Sequence, residues 1–273
     1  MTPDVNAFMS YSTGYKAGGF NSAGGTQTQG LNRIFKPETS DNWEVGMKST
    51  WFDRRFLLNL TAYRTTLDGF QERSYDGTSF FIRNSGSVRA QGIELESQFR
   101  PSDHFSFDFS VAYLDSKFTS NPTAPGLPGC TGAANSCPRV QDLTGRTTTY
   151  APKWQGNLGA EYNTGPVIGG FSLSQRGDMS FASGMYTTID LNPQSRVPSQ
   201  TLFGGRITLT SPNRSFTVAL FGEKLTNDLS YRSKFGATLD SVMNVRDPVT
   251  GATLMRGRAS EPRKWGVRIA KTF

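Results

Sequence analysis

The chain has 273 residues, of which only 36% are hydrophobic, with 20 Phe, 29 Gly and a mean hydropathy of −0.45. A soluble domain of this length would draw on about 45–50% apolar residues, so a conventional buried core is under-supplied, and no run approaches the ~18 apolar residues of a membrane helix. The formal net charge of +7 comes from Lys and Arg scattered singly rather than clustered, which argues against a nucleic-acid partner.

What remains is apolar area concentrated in aromatic rings and a backbone rich in turns, the composition of a transmembrane β-barrel in which lipid-facing residues alternate with wet ones. Near the start, Val5, Ala7, Met9, Tyr11 and Tyr15 alternate with polar or small residues, predicting a strand, and Ala17 to Lys36 reads as a long loop. Trp43, Val45, Met47 and Trp51 form the next alternation, Asp53-Arg54 a tight turn, and Phe56, Leu58, Leu60 and Ala62 the strand that returns. After a loop from Arg73 to Thr78, Ile93, Leu95 and Phe99 are followed by a turn at Pro101-Ser102-Asp103. Then come Phe105, Phe107, Phe109, Val111 and Tyr113, the cleanest alternation in the chain.

A long segment from Thr119 to Gly145 precedes the strand carrying Trp154, Leu158, Ala160 and Tyr162. That segment holds both cysteines, Cys130 and Cys137. Their spacing is too sparse for a zinc site and suits either a local loop disulfide in an oxidising compartment or two unpaired thiols. A turn at Asn163-Thr164-Gly165-Pro166 leads into Phe171, Leu173, Met179 and Phe181, and Ser183 to Arg196 forms a loop. Phe203, Ile207 and Leu209, a turn at Ser211-Pro212-Asn213, and Phe216, Val218 and Leu220 follow. The last loop, Leu229 to Arg256, leads to Lys264–Phe273, where Trp265, Val267, Ile269 and Phe273 share one side.

Ten strands result, joined by connections that alternate strictly long and short. An outer-membrane barrel needs that rule, because its short turns gather on the periplasmic side and its long loops outside. Placing the chain end at the periplasmic side puts the turns at Asp53, Pro101, Thr164 and Pro212 inside and the five long loops outside. The alternation also assigns Glu44, Lys48, Glu94, Glu96, Asp108 and Glu161 to the lumen. Among possible reacting groups, the sole histidine, His104, follows a turn without a nucleophile motif. The Gly14–Gly25 stretch lacks the spacing of a phosphate loop. Glu94 and Glu96 share one wet face, which gives neither carboxyl a reason to differ from the other, so no hydrolase site and no enzyme is expected.

The residues resemble the β-barrel of TonB-dependent outer-membrane receptors over essentially the whole chain. The resemblance rests on Ser10–Asn21, Pro37-Glu38 with Trp43–Lys48, Asn84-Ser85-Gly86 with Gly92–Glu96, Ala151–Trp154, Leu225–Asp228 with Tyr231, and Pro262–Trp265 before the terminal Phe273. It implies an all-β, antiparallel up-and-down barrel of ~22 strands, of which residues 1–273 supply the C-terminal ten. The plug domain, the TonB box and the signal peptide would be absent, so TonB would be reached only through the missing plug region. The start, Met1-Thr2-Pro3-Asp4, accordingly shows no signal-peptide pattern.

It further implies residence in the outer membrane of a Gram-negative bacterium, with outer-membrane lipid and the barrel-assembly machinery as partners. Trp265, Val267, Ile269 and Phe273 would form the assembly signal, with Lys271 departing from the pattern on the lipid side. No cofactor or metal is implied. The ligand would be a scarce small molecule, most often a ferric siderophore or other iron complex. Aromatic and cationic loop residues suited to an anionic chelate are Tyr15, Lys16, Phe20, Arg73, Tyr75, Tyr186, Tyr231 and Arg232. As a fragment the chain is not expected to transport alone. The residues also leave open a small self-closed passive porin or surface adhesin, and a soluble carbohydrate-binding module against which the Phe105–Tyr113 stripe argues. An open ten-strand sheet would expose two edges and an apolar face, so aggregation or curling is expected.

Overall fold

The computed structural model describes residues 4–21, 33–75, 80–127, 138, 140–236 and 255–272. Ten strands form one antiparallel sheet: β1 (Val5–Lys16), β2 (Glu38–Trp51), β3 (Phe56–Asp68), β4 (Ser87–Phe99), β5 (Phe105–Ser120), β6 (Trp154–Pro166), β7 (Ser172–Ala182), β8 (Gln200–Thr210), β9 (Phe216–Glu223) and β10 (Lys264–Lys271). Spatial order equals sequence order, so the sheet is a pure meander, and among the described residues β1 and β10 do not pair with each other. The sheet is a curved wall, open at both edges. Most strands reach the ~9–11 residues that a tilted strand needs to cross a bilayer.

Parity sorts the two faces. On the convex face Met9, Trp43, Val45, Ile93, Phe107, Leu158, Ile207, Leu220, Val267 and Ile269 stand exposed, as residues facing lipid must. The concave face carries Asn59, Thr61, Glu94, Glu96, Asn157, Arg176 and Arg206. With so little buried apolar area, cohesion is lateral. Besides the ladder, five aromatic rings lie over glycines directly opposite in register: Phe8 over Gly46, Tyr63 over Gly92, Phe181 over Gly156, Phe221 over Gly266, and Trp265 over Gly222. Each glycine gives up its side-chain volume to the ring across the strand, an arrangement that pins register.

The short turns gather at one end and are stapled in pairs. The β2–β3 turn holds Phe52, Asp53 and Arg54 at φ of 56°, 52° and 64°, and Arg55 accepts from the Arg100 amide at 2.7 Å in the neighbouring turn. His104 Nδ1 lies 2.7 Å from the Asn163 carbonyl, joining the β4–β5 and β6–β7 turns. A carbonyl only accepts, so Nδ1 carries the proton. The third turn departs from expectation: β6 runs on through a bulge to Pro166, and the reversal occurs at Val167–Phe171 around a 3₁₀ turn. The Asn163 side chain accepts from the Gly165 amide, and Gly165 takes φ 67°, which absorbs the extra residue without ending the strand.

Two of the long connections also hold more order than expected. Gln71–Tyr75 pairs with Phe80–Asn84, and Tyr231–Gly236 with Met255–Ala259, so the expected loops around Arg73 and Leu229 are two-stranded ribbons at their bases. Two shorter ribbons, Gly19–Phe20 with Ile34–Phe35 and Ala124–Pro125 with Val140–Gln141, rise from the first and third long connections.

Candidate functional site

The concave wall carries an ionic cluster at its centre. Asp108 on β5, Gly159 on β6 and Asp178 on β7 lie in one cross-strand row. Arg176 donates from Nη1 and Nη2 to the two Asp108 oxygens at 2.8 and 3.1 Å, and from Nε to Asp178 at 2.8 Å. Glu161 stands 4.0 Å from the same guanidinium and accepts from the Ser174 hydroxyl at 2.6 Å. The guanidinium bridges β5 and β7 across β6 because residue 159 has no side chain. A concave hollow of about 1010 Å³ opens beside this cluster, bounded further by Arg206, Glu223, Lys224 and Arg268. Nearer β2–β4, a second hollow of about 640 Å³ is lined by Glu44, Lys48, Tyr63, Glu94 and Glu96. Every residue assigned to the lumen by alternation lies on this face.

At the outer end the long connections are tied to one another in sequence. Asn21 exchanges two side-chain bonds with the Ile82 backbone, at 2.8 and 2.7 Å. The Gln71 amide group donates to the carbonyls of Ala17 and Lys36, and its backbone N–H donates to Glu38. Arg83 links the second connection to the third through the Thr123 carbonyl at 2.6 Å, and Gln141 links the third to the fourth through the Asp190 carbonyl at 2.8 Å. Thr187 and Lys234 join the fourth to the fifth by a reciprocal pair of bonds at 2.6 and 3.0 Å. The result is a continuous collar around the mouth.

Beneath the collar sits a small apolar cluster on the concave side: Val88, Phe118, Ala124, Leu143 and Leu191 are buried, with Leu67, Phe70 and Tyr186 packed against them. By parity Leu67, Val88 and Phe118 face inward. Ala124, Leu143 and Leu191 come from the third and fourth connections, so those loops fold over the inner wall. Asp142 lies beside this hub, and hydrogen bonds from the Thr144 hydroxyl, then from its amide, hold its carboxyl below the ordinary carboxylate range. Glu261, in the connection entering β10, is likewise held low by its hydrogen bond from Lys264.

The loop residues singled out from the sequence are distributed around this mouth. Tyr15 is on the outward face of β1, 71% exposed, and Lys16 beside it faces inward. Phe20 stands 78% exposed on the first ribbon. Arg73 is exposed on the second ribbon, where Tyr75 pairs in register with Phe80. Tyr186 is half-buried against the apolar hub, and its carbonyl accepts from the Tyr150 amide. Tyr231 lies under the Lys234 ammonium at 5.4 Å, and Arg232 is 4.0 Å from Glu261. Of the collar residues, Asn21 and Asn84, whose amide donates to the Lys36 and Gly69 carbonyls, fall in stretches that carry the family resemblance, whereas Gln71, Gln141, Thr187 and Lys234 escape a sequence reading because single polar residues in long connections carry no periodicity. In the terminal strand Trp265, Val267 and Ile269 all face outward, while Phe273, Cys130 and Cys137 lie outside the described residues. Among the described residues no grouping of three His, Cys, Asp or Glu could hold a metal ion.

A meander of tilted strands with a lipid-compatible convex face, a polar concave face, stapled turns at one end and a laterally tied collar at the other defines part of an outer-membrane β-barrel. Residues 1–231 match the family model described as "TonB dependent receptor-like, beta-barrel", and the chain belongs to that family of Gram-negative outer-membrane receptors and transporters. A relative from Escherichia coli K12, the ferrichrome outer membrane transporter/phage receptor, is 27% identical over 168 residues, which cover 58% of this chain and 20% of that protein.

Among solved structures, the ferric yersiniabactin uptake receptor FyuA of Yersinia pestis superposes with a TM-score of 0.74 at 16% identity, over 100% of this chain and 36% of that one. The siderophore receptor PiuA of Acinetobacter baumannii gives 0.66 at 17% identity, over 98% and 34%. The chain thus spans about a fifth of the curated relative and about a third of these receptors.

Proposed function

We propose that these residues form the C-terminal ten strands of a receptor that imports a ferric siderophore or another iron complex in a TonB-dependent manner. The observation carrying this reading is the family match combined with a structured outer collar. The rim formed by these tied loops would carry the candidate ligand contacts Tyr15, Lys16, Phe20, Arg73, Tyr75, Tyr186, Tyr231 and Arg232. Cations and aromatic faces in such a rim complement an anionic, ring-bearing chelate. Energy would reach the ligand only through a plug and TonB, neither of which these residues supply. Lipid would contact the convex face, and the β10 stripe Trp265, Val267 and Ile269, with Phe273, would be read by the assembly machinery.

The test is growth of the bacterium that carries the gene, under iron limitation, on a panel of single iron chelates. Deletion should abolish growth on one chelate class. Restoration with an Arg73→Gln/Arg232→Gln variant should need roughly ten-fold more of that chelate, the loss expected for one or two charge-assisted contacts. Undiminished growth of the deletion strain on every chelate would refute the proposal.

A further inference from the structure

At the outer end of β9 two unfavourable features fall on one side chain. Lys224 follows the last residue of that strand and holds φ 52°, in the left-handed region that suits glycine or asparagine and strains a longer side chain. Its carbonyl accepts from the Asn227 amide at 2.8 Å, and the next amide, that of Leu225, donates to the Phe203 carbonyl on β8 at 2.9 Å, so the kink is tied to the wall. The Lys224 Nζ is buried and, among the described residues, meets no hydrogen-bond acceptor. The fold alone requires neither the strain nor a buried ammonium without a partner, and asparagine at this position would avoid both.

The surroundings add positive charge instead of cancelling it. Lys224 lines the concave hollow of about 1010 Å³ together with Arg206, Arg268, Phe221 and Glu223. Arg206 stands directly opposite Arg176 in register, where Asp108 and Asp178 are already engaged by the Arg176 guanidinium. Neither Arg206 nor Arg268 makes an ion pair among the described residues. Glu223 lies opposite Lys264 in register, and Glu261 is engaged by Lys264 and stands 4.0 Å from Arg232. Ala219, between Thr208 and Arg268 in one cross-strand row, leaves the floor of the hollow open.

We infer that Lys224, Arg206 and Arg268 form an anion-binding site on the lumen wall, which holds an anionic iron chelate by its carboxylate or phenolate oxygens after it has passed the mouth. Oxyanions there meet ammonium and guanidinium donors in charge-assisted hydrogen bonds, and the Phe221 ring offers a face to an aromatic chelating group. A neutral chelate leaves the Lys224 ammonium unpaired, so the site selects by charge. The inference rests on the receptor reading above, to which it adds the charge class of the cargo and a second place where the cargo is held.

The test is equilibrium dialysis of the full chain, refolded in neutral detergent micelles, against an anionic ferric tricatecholate and a neutral ferric trihydroxamate. Bound iron is quantified, and heat-modifiable gel mobility reports folding. All variants are made in an Arg73→Gln/Arg232→Gln background, which removes cations from the mouth. In that background the chain should retain the anionic complex roughly ten-fold better than the neutral one. Lys224→Asn should abolish most of that preference without lowering the urea midpoint, and Lys224→Arg should keep most of it. Arg206→Gln/Arg268→Gln, at exposed side chains, should lower retention several-fold even if the Lys224 variants fail to fold.

Equal retention of the two complexes, or retention unchanged by the Lys224 and Arg206/Arg268 substitutions, would overturn the site. A Lys224→Asn chain that loses retention and stability together would mark a structural lysine and overturn it as well. So would displacement by millimolar inorganic phosphate, in favour of a general anion site, and so would loss of all retention on removing the mouth cations alone. Each of these results leaves the receptor reading standing, because that reading is decided by growth of the deletion strain.

Discussion

Gly159→Ala is the sharpest probe of the inner wall. A methyl group at residue 159 would lie 2.5 and 2.6 Å from the Asp108 carboxylate oxygens and collide with the Arg176 guanidinium. All the obstructing atoms are ends of flexible side chains, so the backbone can stay in place while Arg176 and Asp108 separate. Their two hydrogen bonds, at 2.8 and 3.1 Å, would contribute roughly 1.5–3 kcal/mol each if buried. The Asp108 side chain is 45% exposed and that of Arg176 23%, and solvent screening brings the pair to about 1–2 kcal/mol together.

Gly204 is the matched control. It faces the same lumen opposite Asp178, and a methyl there meets its nearest atoms at 3.5 and 3.9 Å, ordinary contact. Urea unfolding of the refolded chain, followed by gel mobility, should place the Gly159→Ala midpoint about 0.5–1 M below that of Gly204→Ala, taking a slope of about 2 kcal/mol/M. In an Arg176→Met background the difference should vanish. Equal midpoints for the two alanine variants, or a difference that survives loss of Arg176, would refute the bridging account.

Gly92→Ala should be harsher than Gly159→Ala, by about 2–4 kcal/mol in the same urea assay, because the added methyl strikes the Tyr113 backbone carbonyl as well as the Tyr63 ring. Phe118→Ala removes a ring that is 1% exposed from the apolar hub. It should cost the collar about 3–5 kcal/mol, read as rapid trypsin cleavage in the third and fourth connections with the strands still protected. Asp142 has a lowered pKa, so its contribution is complete above the unfolded carboxylate value of about 3.9 and is lost only as pH falls through the lower folded value. Amide protection factors in that loop, corrected for the intrinsic pH dependence of exchange, should therefore be flat from neutral pH down to the unfolded carboxylate value. In lipid, β1 and β10 amides should exchange faster than those of β6, which is paired on both sides.

The ten crossings were legible because lipid imposes a period of two on every strand that meets it. Phe105 to Tyr113 shows this without interruption, and the structure keeps the expected faces on all ten strands. Strand ends were less legible. β4 begins at Ser87 and β5 continues to Ser120, well past Ile93 and Tyr113, because beyond the acyl region the outward face turns polar at Arg89, Gln91 and Lys117 while Val88 and Phe118 stand on the inward face, so the expected alternation breaks down. The two ribbons at Gln71–Asn84 and Tyr231–Ala259 were hidden for the same reason. The hub was hidden differently. Phe118, Leu143 and Leu191 are isolated apolar residues from separate connections, and only the fold over the inner wall brings them together.

These differences follow from where each part finds its cohesion. Inside the bilayer, an unpaired backbone group costs several kcal/mol, so pairing along β2 to β9 is enforced by the solvent, and side chains need only respect the two faces. Rings over glycines and the Arg176 bridge then select among registers that the ladder alone would tolerate equally. Outside the bilayer water satisfies stray backbone groups, and order has to come from specific contacts such as Gln71 to Lys36, Gln141 to Asp190, or Phe118 under Leu143. At β1 and β10 neither source is complete. Among the described residues each presents one unpaired edge, and β1 leaves a 12-residue strand with a free side. Lipid cannot satisfy those groups, so the wall gains stability in a membrane when further strands join both edges, from the rest of a longer barrel or from closure on itself.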